Sequence, residues 1–466
     1  MVRYLTFLII IFLSTYSQAV TVAILDSGID FEHELVKSHQ FLNIDETLSG
    51  IDDDLNGYID DYSGWNFISM DSIGHKKEKF PSFEEDFYRY YEVRKKRSLQ
   101  SSTSEEDSWY NERKKDEEFQ AKRKLFRRYI HGTHVSGLAI GQGLKQVLKR
   151  TTLPKDFSAP NLLNITYLGD AEKGPAVEPE FSPLYSGSHL QKSQHVAKFL
   201  KDYLQWQKLK LELAVSYASQ FAHVLNASFG ISHDSAGKMV KKWWDQQFNE
   251  ELNPKELEDL QNSFRSGLIS ITKEVVDSYP QLVFVFSAGN GKDDTTSQSH
   301  YPSGVTCDHC LTVGASLGTQ ERAYFSNFGS TSVSLFAPGV AMMSSVPDGR
   351  YLPVNGTSQA APQVAFTAAN ILKQAWDLGL FINTAMVKEI LMTSVDKVET
   401  LKNDCQSGGI LNPMRAIYLT KLLRQYSSNE ASTLAYKKVP NQIFLPKLTT
   451  LEDSSPSRQE SDPLPK

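Results

Sequence analysis

The chain has 466 residues, of which 40% are hydrophobic and 22% charged, and its formal net charge is −6. This length allows a large buried core and more than one domain. Because no basic bias would steer the molecule to phosphate, we expect no nucleic-acid partner.

The N-terminus has the pattern of a secretory signal peptide. Arg3 supplies a positive charge, an apolar run follows from Leu5 to Leu13, and Ser17 and Ala19 place small residues at a cleavage site. The run is short for a bilayer span, and an uncleaved anchor is the alternative. We predict a signal peptide at 1–19, a secreted or periplasmic mature chain, and no stable membrane association.

Short apolar runs alternate with helical patterns along the chain. Runs of this length are typical of buried parallel strands. The alternation therefore predicts an α/β fold with a mostly parallel sheet, whose ligand sites lie at the carboxyl ends of the strands. The predicted strands lie at 22–25, 162–168, 224–225, 281–286 and 311–313, and the main predicted helices lie at 193–221 and 257–278.

Two regions differ in composition from this core. Residues 71–128 are densely charged, and Phe83, Phe87 and Tyr91 fall at i, i+4 and i+8, which predicts an apolar stripe on a helix. The charges around them are typical of a solvated surface. The tail at 427–466 is rich in Ser, Pro, Lys and Glu, and we expect it to be irregular or disordered.

Three polar motifs, each with an ordinary structural explanation, together fit nucleophilic catalysis. Alone, Asp26 fits a turn, and Ser358 fits a helix cap. His131 fits a structural histidine or, with His134, a metal pair. A serine hydroxyl becomes a nucleophile when a histidine takes its proton, and a carboxylate fixes that histidine's tautomer. Asn290, on a glycine-flanked loop after the strand at 281–286, adds a donor for the oxyanion. We assign these residues as a candidate catalytic site.

The segments that hold these residues resemble the subtilisin-like serine proteases, or subtilases. The matching blocks are Val-Ala-Ile-Leu-Asp-Ser-Gly-Ile-Asp at 22–30, His-Gly-Thr-His-Val-Ser-Gly at 131–137 and Asn-Gly-Thr-Ser-Gln-Ala-Ala-Pro at 355–362, in that family's order. The resemblance implies a three-layer sandwich with helices on both faces of the sheet. It also implies a serine endopeptidase that forms an acyl-enzyme, with His131 rather than His134 as the base.

Further similarities bear on the substrate. Ser228, Phe229 and Gly230 resemble the strand end that forms one wall of the primary specificity pocket, where substrate adds as a β-strand. The resemblance places His300 and Tyr301 near that pocket. Because the wall carries no acid to select Lys or Arg, we expect broad selectivity with apolar or aromatic P1 residues. The partners are then protein or peptide substrates, and we expect a monomer.

An acidic segment before Gly64 has oxygen-bearing side chains at alternate positions around a glycine, which resembles a calcium loop. Many subtilases carry such a segment, so the resemblance implies a structural Ca²⁺. Ser63 stands where the bidentate Glu of such a loop belongs, and a plain acidic turn is the alternative. Asp45 and Glu46 are additional candidates. The predicted ligands are Asp52, Asp54, Asn56, the Tyr58 carbonyl and Asp60.

The spacing between the motifs exceeds that of compact subtilases. The long intervals lie between Asp26 and His131 and between His131 and Asn290. They imply a catalytic domain at 20–426 that contains the charged insertion and an enlarged helical region at about 171–280.

Two departures from the family pattern concern the control and the durability of activity. We expect no chaperone-like segment between the signal peptide and the first strand. The charged insertion would then pack over the cleft or be trimmed at the basic run Arg94–Arg97, with passive decoration as the alternative. Gln359 stands beside Ser358 where the family usually has methionine, which predicts tolerance of mild peroxide.

The three cysteines, Cys307, Cys310 and Cys405, leave their redox state open. A local bridge, a bridge to Cys405 and free buried thiols are all compatible with the sequence. Three rival functions also remain: a catalytically silent subtilase-like binding protein, an esterase with the same triad, and a membrane-tethered processing protease.

Overall fold

The computed structural model describes residues 19–169, 178–180, 187–248, 250–296 and 300–446. The predicted signal peptide up to residue 18 lies outside these residues. The strands are β1 (Thr21–Asp26), β2 (Gly64–Asn66), β3 (Asn161–Thr166), β4 (Val224–Ala227), β5 (Val283–Ser287), β6 (Cys310–Leu317), β7 (Glu321–Arg322), β8 (Leu335–Pro338), β9 (Met342–Val346), β10 (Arg350–Val354), β11 (Asp396–Lys397) and β12 (Gly409–Ile410).

Helices fill most of the intervals between the strands. Short 3₁₀ helices also occur at Lys77–Lys79 and Glu399–Leu401. The α-helices are α1 (Glu34–Lys37), α2 (Glu85–Ser98), α3 (Ser104–Lys115), α4 (Glu117–Ala139), α5 (Gln142–Leu148), α6 (His189–Phe221), α7 (His233–Asp245), α8 (Pro254–Asp277), α9 (Thr357–Asp377), α10 (Thr384–Thr393), α11 (Pro413–Leu422) and α12 (Ser428–Lys438).

One large sheet organises the molecule. Its order is β11-β12-β8-β6-β5-β4-β1-β3-β2, with β7 added to β6, and β9 and β10 form a separate hairpin. The central pairs are all parallel, and only the short strands β7 and β11 pair antiparallel within the sheet. The prediction of an α/β fold with a mostly parallel sheet is confirmed.

Both faces of the sheet are covered, as the continuous apolar sequence of β1 requires. Side chains alternate along a strand, so Val22 and Ile24 face one side while Ala23 and Leu25 face the other. The first pair joins a core with α4, α9, α10 and α11, and the second pair joins a core with α6 and α8. The result is the three-layer sandwich that the resemblance implied.

The carboxyl ends of the central strands bring the candidate residues to one edge. Asp26 ends β1, Ser228 follows β4, and Asn290 lies three residues after the end of β5. Strands β1, β4 and β5 are neighbours in the sheet. This arrangement places the three residues side by side, where parallel sheets bind their ligands.

The charged insertion is helical, as predicted. Helices α2, α3 and the first half of α4 share an aromatic core that includes Phe87, Tyr91 and Phe126. This core also contains Val346 and Leu352 of the β9–β10 hairpin, so the insertion is packed on the sandwich. The basic run Arg94–Arg97 lies inside α2, with Lys95 only 2% exposed, and is therefore not the exposed nick site that the sequence suggested.

The enlarged helical region is built from α6, α7 and α8. These helices enclose their own core around Trp244 and Phe264, both fully buried, and it extends to Tyr301 beside the sheet edge. Part of the region lies outside the described residues.

The C-terminal segment differs from the expectation of an irregular tail. Ser427 and Glu430 form a capping box that starts α12, and Ala431 and Ala435 are buried against the main core. Beyond the helix, the Phe444 amide donates to Thr319 Oγ1 at 2.9 Å. The polar composition of this segment predicted an irregular tail, because it gives no sign of these few contacts with the core. Residues 447–466 lie outside the described part of the chain.

Candidate active site

Asp26 and His131 form a direct hydrogen bond. Nδ1 of His131 lies 2.7 Å from Oδ1 of Asp26, which also accepts the Ser27 amide at 2.7 Å. Asp26 is fully buried, while the His131 side chain is 18% exposed. A buried carboxylate in this position holds the proton on Nδ1, so that Nε2 carries no proton and is able to act as a base.

The helix that carries His131 touches the Asp26 loop closely. A Cβ atom on Gly132 would lie 2.2 Å from the Gly28 carbonyl oxygen, so only glycine fits there. The Gly132 amide donates to Ser27 Oγ, and the Asp30 amide donates to Thr133 Oγ1. His131 lies well inside α4, because Asp116 caps a helix that begins at Glu117.

Ser358 is the second residue of α9 and is 9% exposed. Its hydroxyl donates to the Ser228 carbonyl oxygen at 2.8 Å. Among the described residues, no hydrogen bond joins this hydroxyl to His131. The Ser358 amide lies at the helix N-terminus, where backbone N–H groups have no partner within the helix and favour an oxyanion.

Asn290 is oriented by the residue before Ser358. Its Oδ1 accepts the Thr357 amide at 2.9 Å and lies 3.3 Å from the Thr357 hydroxyl. Thr357 Oγ1 in turn accepts the Gly289 amide. These contacts occupy the carbonyl end of the Asn290 side chain and leave its Nδ2 amide available as a donor.

His134 is a structural residue. It is fully buried, and its Nε2 lies 3.0 Å from the Leu352 carbonyl oxygen and 3.2 Å from that of Met342. Burial lowers the pKa of His134 to about 3, so the ring is neutral at ordinary pH. The ring ties α4 to the β9–β10 hairpin, which agrees with the choice of His131 as the candidate base.

The candidate substrate wall lies beside Ser358 and is backed by His300. Phe229 stacks on Tyr167, and Ile231 pairs with Tyr301 through backbone hydrogen bonds. A Cβ atom on Gly230 would lie 2.5 Å from Cε1 of His300. A Cβ atom on Gly289, in the loop that follows β5, would lie 2.6 Å from Nε2 of the same ring. The imidazole therefore fills the space between the two backbone walls.

The acidic segment gathers a different carboxylate set from the predicted one. Carboxylate oxygens of Glu46, Asp52 and Asp54 lie within 4.8 Å of one another. The Asp60 carboxylate is outside this cluster and accepts the Ser49 and Gly50 amides. Glu46, an additional candidate in the sequence, joins the predicted Asp52 and Asp54, and Asp60 as a side-chain ligand stays a prediction. This cluster of hard oxygen donors has the chemistry that Ca²⁺ prefers.

Asn56, another predicted ligand, makes its hydrogen bonds within the same segment. Asn56 Oδ1 accepts the Tyr58 amide, and Asn56 Nδ2 donates to Asp54 and Asp61. The Tyr58 ring packs on Trp65 in the core.

A disulfide joins Cys307 to Cys310, while Cys405 is a buried free thiol. This pairing selects the local bridge among the alternatives that the sequence left open. Among the described residues, none of the helices combines the length and apolar character needed to cross a membrane.

Comparison with known proteins identifies the family. The model of the subtilase family matches residues 17–412, so the chain belongs to that family. A 140-residue stretch is 29% identical to Subtilisin-like protease 2 of Plasmodium falciparum (isolate 3D7), covering 30% of this chain and 10% of that protein. A 105-residue stretch is 40% identical to Subtilisin E of Bacillus subtilis (strain 168), covering 22% of this chain and 27% of that protein.

The chain thus spans only a minor part of the length of these relatives. Among solved structures, that of a cold-adapted subtilisin-like serine proteinase aligns with a TM-score of 0.38 and 18% identity, over 84% of this chain and 86% of that one.

Sequence reasoning missed one residue of the site, Thr357, and one contact of a predicted residue, Ser228. Thr357, which orients Asn290, lies within the motif at 355–362, and its position next to the candidate nucleophile was the available signal. The Ser228 carbonyl, which accepts the Ser358 hydroxyl, is a backbone group without a side-chain signature.

Proposed function

We propose that this chain is an exported serine endopeptidase with Asp26, His131 and Ser358 as its triad. The observation that carries the proposal is the 2.7 Å contact between buried Asp26 and His131, at the sheet edge that also holds Ser358. Membership in the subtilase family supports the reaction class. The N-terminal sequence pattern supports export.

The mechanism follows from this geometry. Ser358 Oγ leaves the Ser228 carbonyl and attacks the scissile carbonyl carbon while His131 Nε2 takes its proton. Asn290 Nδ2 and the Ser358 amide donate to the resulting oxyanion. His131 then protonates the leaving amine as the carbon–nitrogen bond breaks. Water enters, loses a proton to His131 and releases the acyl group from Ser358 by the same steps.

Active-site labelling tests this proposal against its rivals. A fluorophosphonate should label the wild type but not Ser358→Ala, and the variant should lose roughly 10⁶ in kcat on a quenched peptide. A folded wild type that resists the label would be a binding protein. A labelled protein that cleaves simple esters but no peptides would be an esterase. N-terminal sequencing of the exported protein decides between release and a membrane tether.

The specificity that we propose is narrower than the sequence suggested. The His300 ring between Gly230 and Gly289 leaves little depth for a large P1 side chain. Burial lowers the pKa of His300 to about 4, so the ring is uncharged and selects no acidic residue. Small apolar P1 residues fit this pocket, and aromatic ones do not.

A structural Ca²⁺ at Glu46, Asp52 and Asp54 is a second element of the proposal. The ion would offset the repulsion of three carboxylates within 4.8 Å and tie the 43–61 segment together. Added Ca²⁺ should raise the unfolding temperature of the wild type and have little effect on Asp54→Asn. Equal shifts in the two proteins would contradict the assignment.

A further inference from the structure

The charged insertion builds a pocket beside the catalytic residues. The pocket has a volume of about 490 Å³ and lies between α2, α3 and the Tyr324 side chain. Arg94, Arg97 and Lys114 line it, together with Asp107. The charged residues of its walls are therefore mainly cationic, in contrast to the acidic balance of the whole chain.

Two contacts place the pocket next to the active site. Asn355 Nδ2 donates to Ser98 Oγ at 2.6 Å, and Ser98 lines the pocket. Asn355 lies three residues before Ser358, in the turn that leads into α9. At the other side, the Lys292 amine lies 5.3 Å from the Tyr324 ring centroid, and Lys292 follows Asn290 by two residues.

The order of the strands shows which half of a substrate meets this pocket. Ser228 follows β4, Asn290 follows β5, and Tyr324 follows the β6–β7 pair, so the oxyanion donor lies between the other two. The acyl half of a substrate lies along the wall that begins at Ser228. The leaving-group half therefore extends in the opposite direction, toward Tyr324 and the insertion.

Two of the cations in the pocket are not neutralised. Arg97 pairs with Asp107 at 2.6 Å and lies over the Tyr110 ring. Within the part of the chain that the structure describes, the side chains of Arg94 and Lys114 have neither an ion pair nor a hydrogen bond. A cation that is ion-paired within the protein already contacts a carboxylate. The side chains of Arg94 and Lys114 remain available to bind a carboxylate of the substrate.

We propose that this pocket is a subsite for a carboxylate on the leaving-group side of the substrate, contacted by Arg94 and Lys114. The inference rests on the proposed endopeptidase function. The carboxylate belongs to an Asp or Glu side chain or to a free C-terminus, since both present the same oxygens to the two cations. The charged insertion would thereby contribute to specificity, by favouring substrates with a carboxylate on the leaving-group side.

Paired peptides test the subsite. The substrates are quenched peptides with Ala at P1. Glu, Gln or Lys is placed at each of the three positions after the scissile bond in turn, and each peptide is made with a free and with an amidated C-terminus. The wild type should cleave the best Glu peptide with a kcat/KM roughly fivefold above its Gln counterpart, as two exposed ion pairs allow. This ratio should fall toward one in high salt. A preference that follows the free C-terminus instead would assign the carboxylate to the chain end.

Charge-matched variants separate the pocket from general electrostatics. Arg94→Gln/Lys114→Gln should lose the preference and keep the kcat/KM of the Gln peptide. The control Lys115→Gln/Lys124→Gln removes two exposed charges of the same insertion outside the pocket, and should keep the preference. Equal cleavage of acidic and neutral peptides by the wild type would overturn the subsite alone. Failure to cleave any peptide would instead overturn the proposed endopeptidase function.

Discussion

Gln359 Nε2 lies 3.4 Å from Nδ1 of His134. Gln359 adjoins the candidate nucleophile, and His134 is one helical turn after the candidate base, so this contact joins α9 to α4 directly behind the site. With Nδ1 facing the amide donor and Nε2 facing two carbonyl oxygens, His134 is a neutral ring with its proton on Nε2. The contact therefore requires an uncharged histidine.

The neutral state of His134 predicts a pH-dependent loss of stability. Burial lowers its pKa from 6.5 to about 3, so below pH 6.5 the unfolded chain binds a proton that the folded chain does not. The stability held above pH 6.5 is lost as the pH falls toward 3, at up to about 1.4 kcal/mol per unit. Urea unfolding of Ser358→Ala between pH 7 and 5 measures this slope without autolysis.

His134→Gln in the same background is the matched variant. Glutamine can donate and accept in place of the two ring nitrogens but does not titrate. We expect some loss of stability at pH 7 and a flatter slope below pH 6.5. His75 and His300, whose pKa values burial also lowers to about 4, remain in both proteins. Parallel slopes would show that His134 is not the group that titrates.

The amide at position 359 predicts resistance to oxidation beside the nucleophile. Gln359→Met should make activity sensitive to mild peroxide, because a sulfoxide would add a polar oxygen next to Ser358. The wild type should keep most of its activity under the same exposure. Leu372→Met, a volume-conserving change farther along α9, is the control and should behave like the wild type. Rapid inactivation of the wild type would contradict the prediction.

The sequence was sufficient to predict the sheet and to select the candidate triad, because both signals are local. Each central strand is a short apolar run, and each candidate catalytic residue stands in a block with its own glycines. Other features depend on distant partners. The turn of Asp60 toward Ser49 and Gly50 is set by backbone amides that no side-chain pattern reveals.

The contacts of the charged insertion also depend on residues that are distant in the sequence. Its charge and aromatic stripe predicted helices on the surface, and α2 and α3 agree. The contact of Ser98 with Asn355 joins residues 257 positions apart, and neither carries a motif for it. The subsite between the insertion and Tyr324 was therefore beyond sequence reasoning.

The orientation of Asn290 predicts a graded effect of two substitutions. Asn290→Ala should lower kcat by roughly 10²–10³, the range known for such a donor in a subtilisin, with little change in KM. Thr357→Val removes the hydroxyl that contacts Asn290 Oδ1 and should lower kcat less, by about tenfold. Thr357→Ser keeps the hydroxyl and should retain activity.

The double variant decides whether Thr357 acts through Asn290. If it does, Asn290→Ala/Thr357→Val should be little worse than Asn290→Ala, since the amide that Thr357 orients is already gone. Steady-state kinetics on one peptide give kcat for the wild type, the two single variants and the double variant. Fully additive losses would assign Thr357 a separate role.

The position of His300 predicts that one substitution can reset the P1 preference. In the wild type, the ring lies against Gly230 and Gly289, and peptides with Ala at P1 should be cleaved better than those with Phe. His300→Gly removes the ring and should raise the Phe-to-Ala ratio of kcat/KM by about tenfold or more, because a buried aromatic group gains over 1.4 kcal/mol of transfer free energy. His300→Leu fills a similar volume and should keep the preference for Ala. Active-site titration corrects each value for the folded fraction, so that a loss of stability is not read as a change in specificity. An unchanged ratio in His300→Gly would place the P1 side chain elsewhere than between these two glycines.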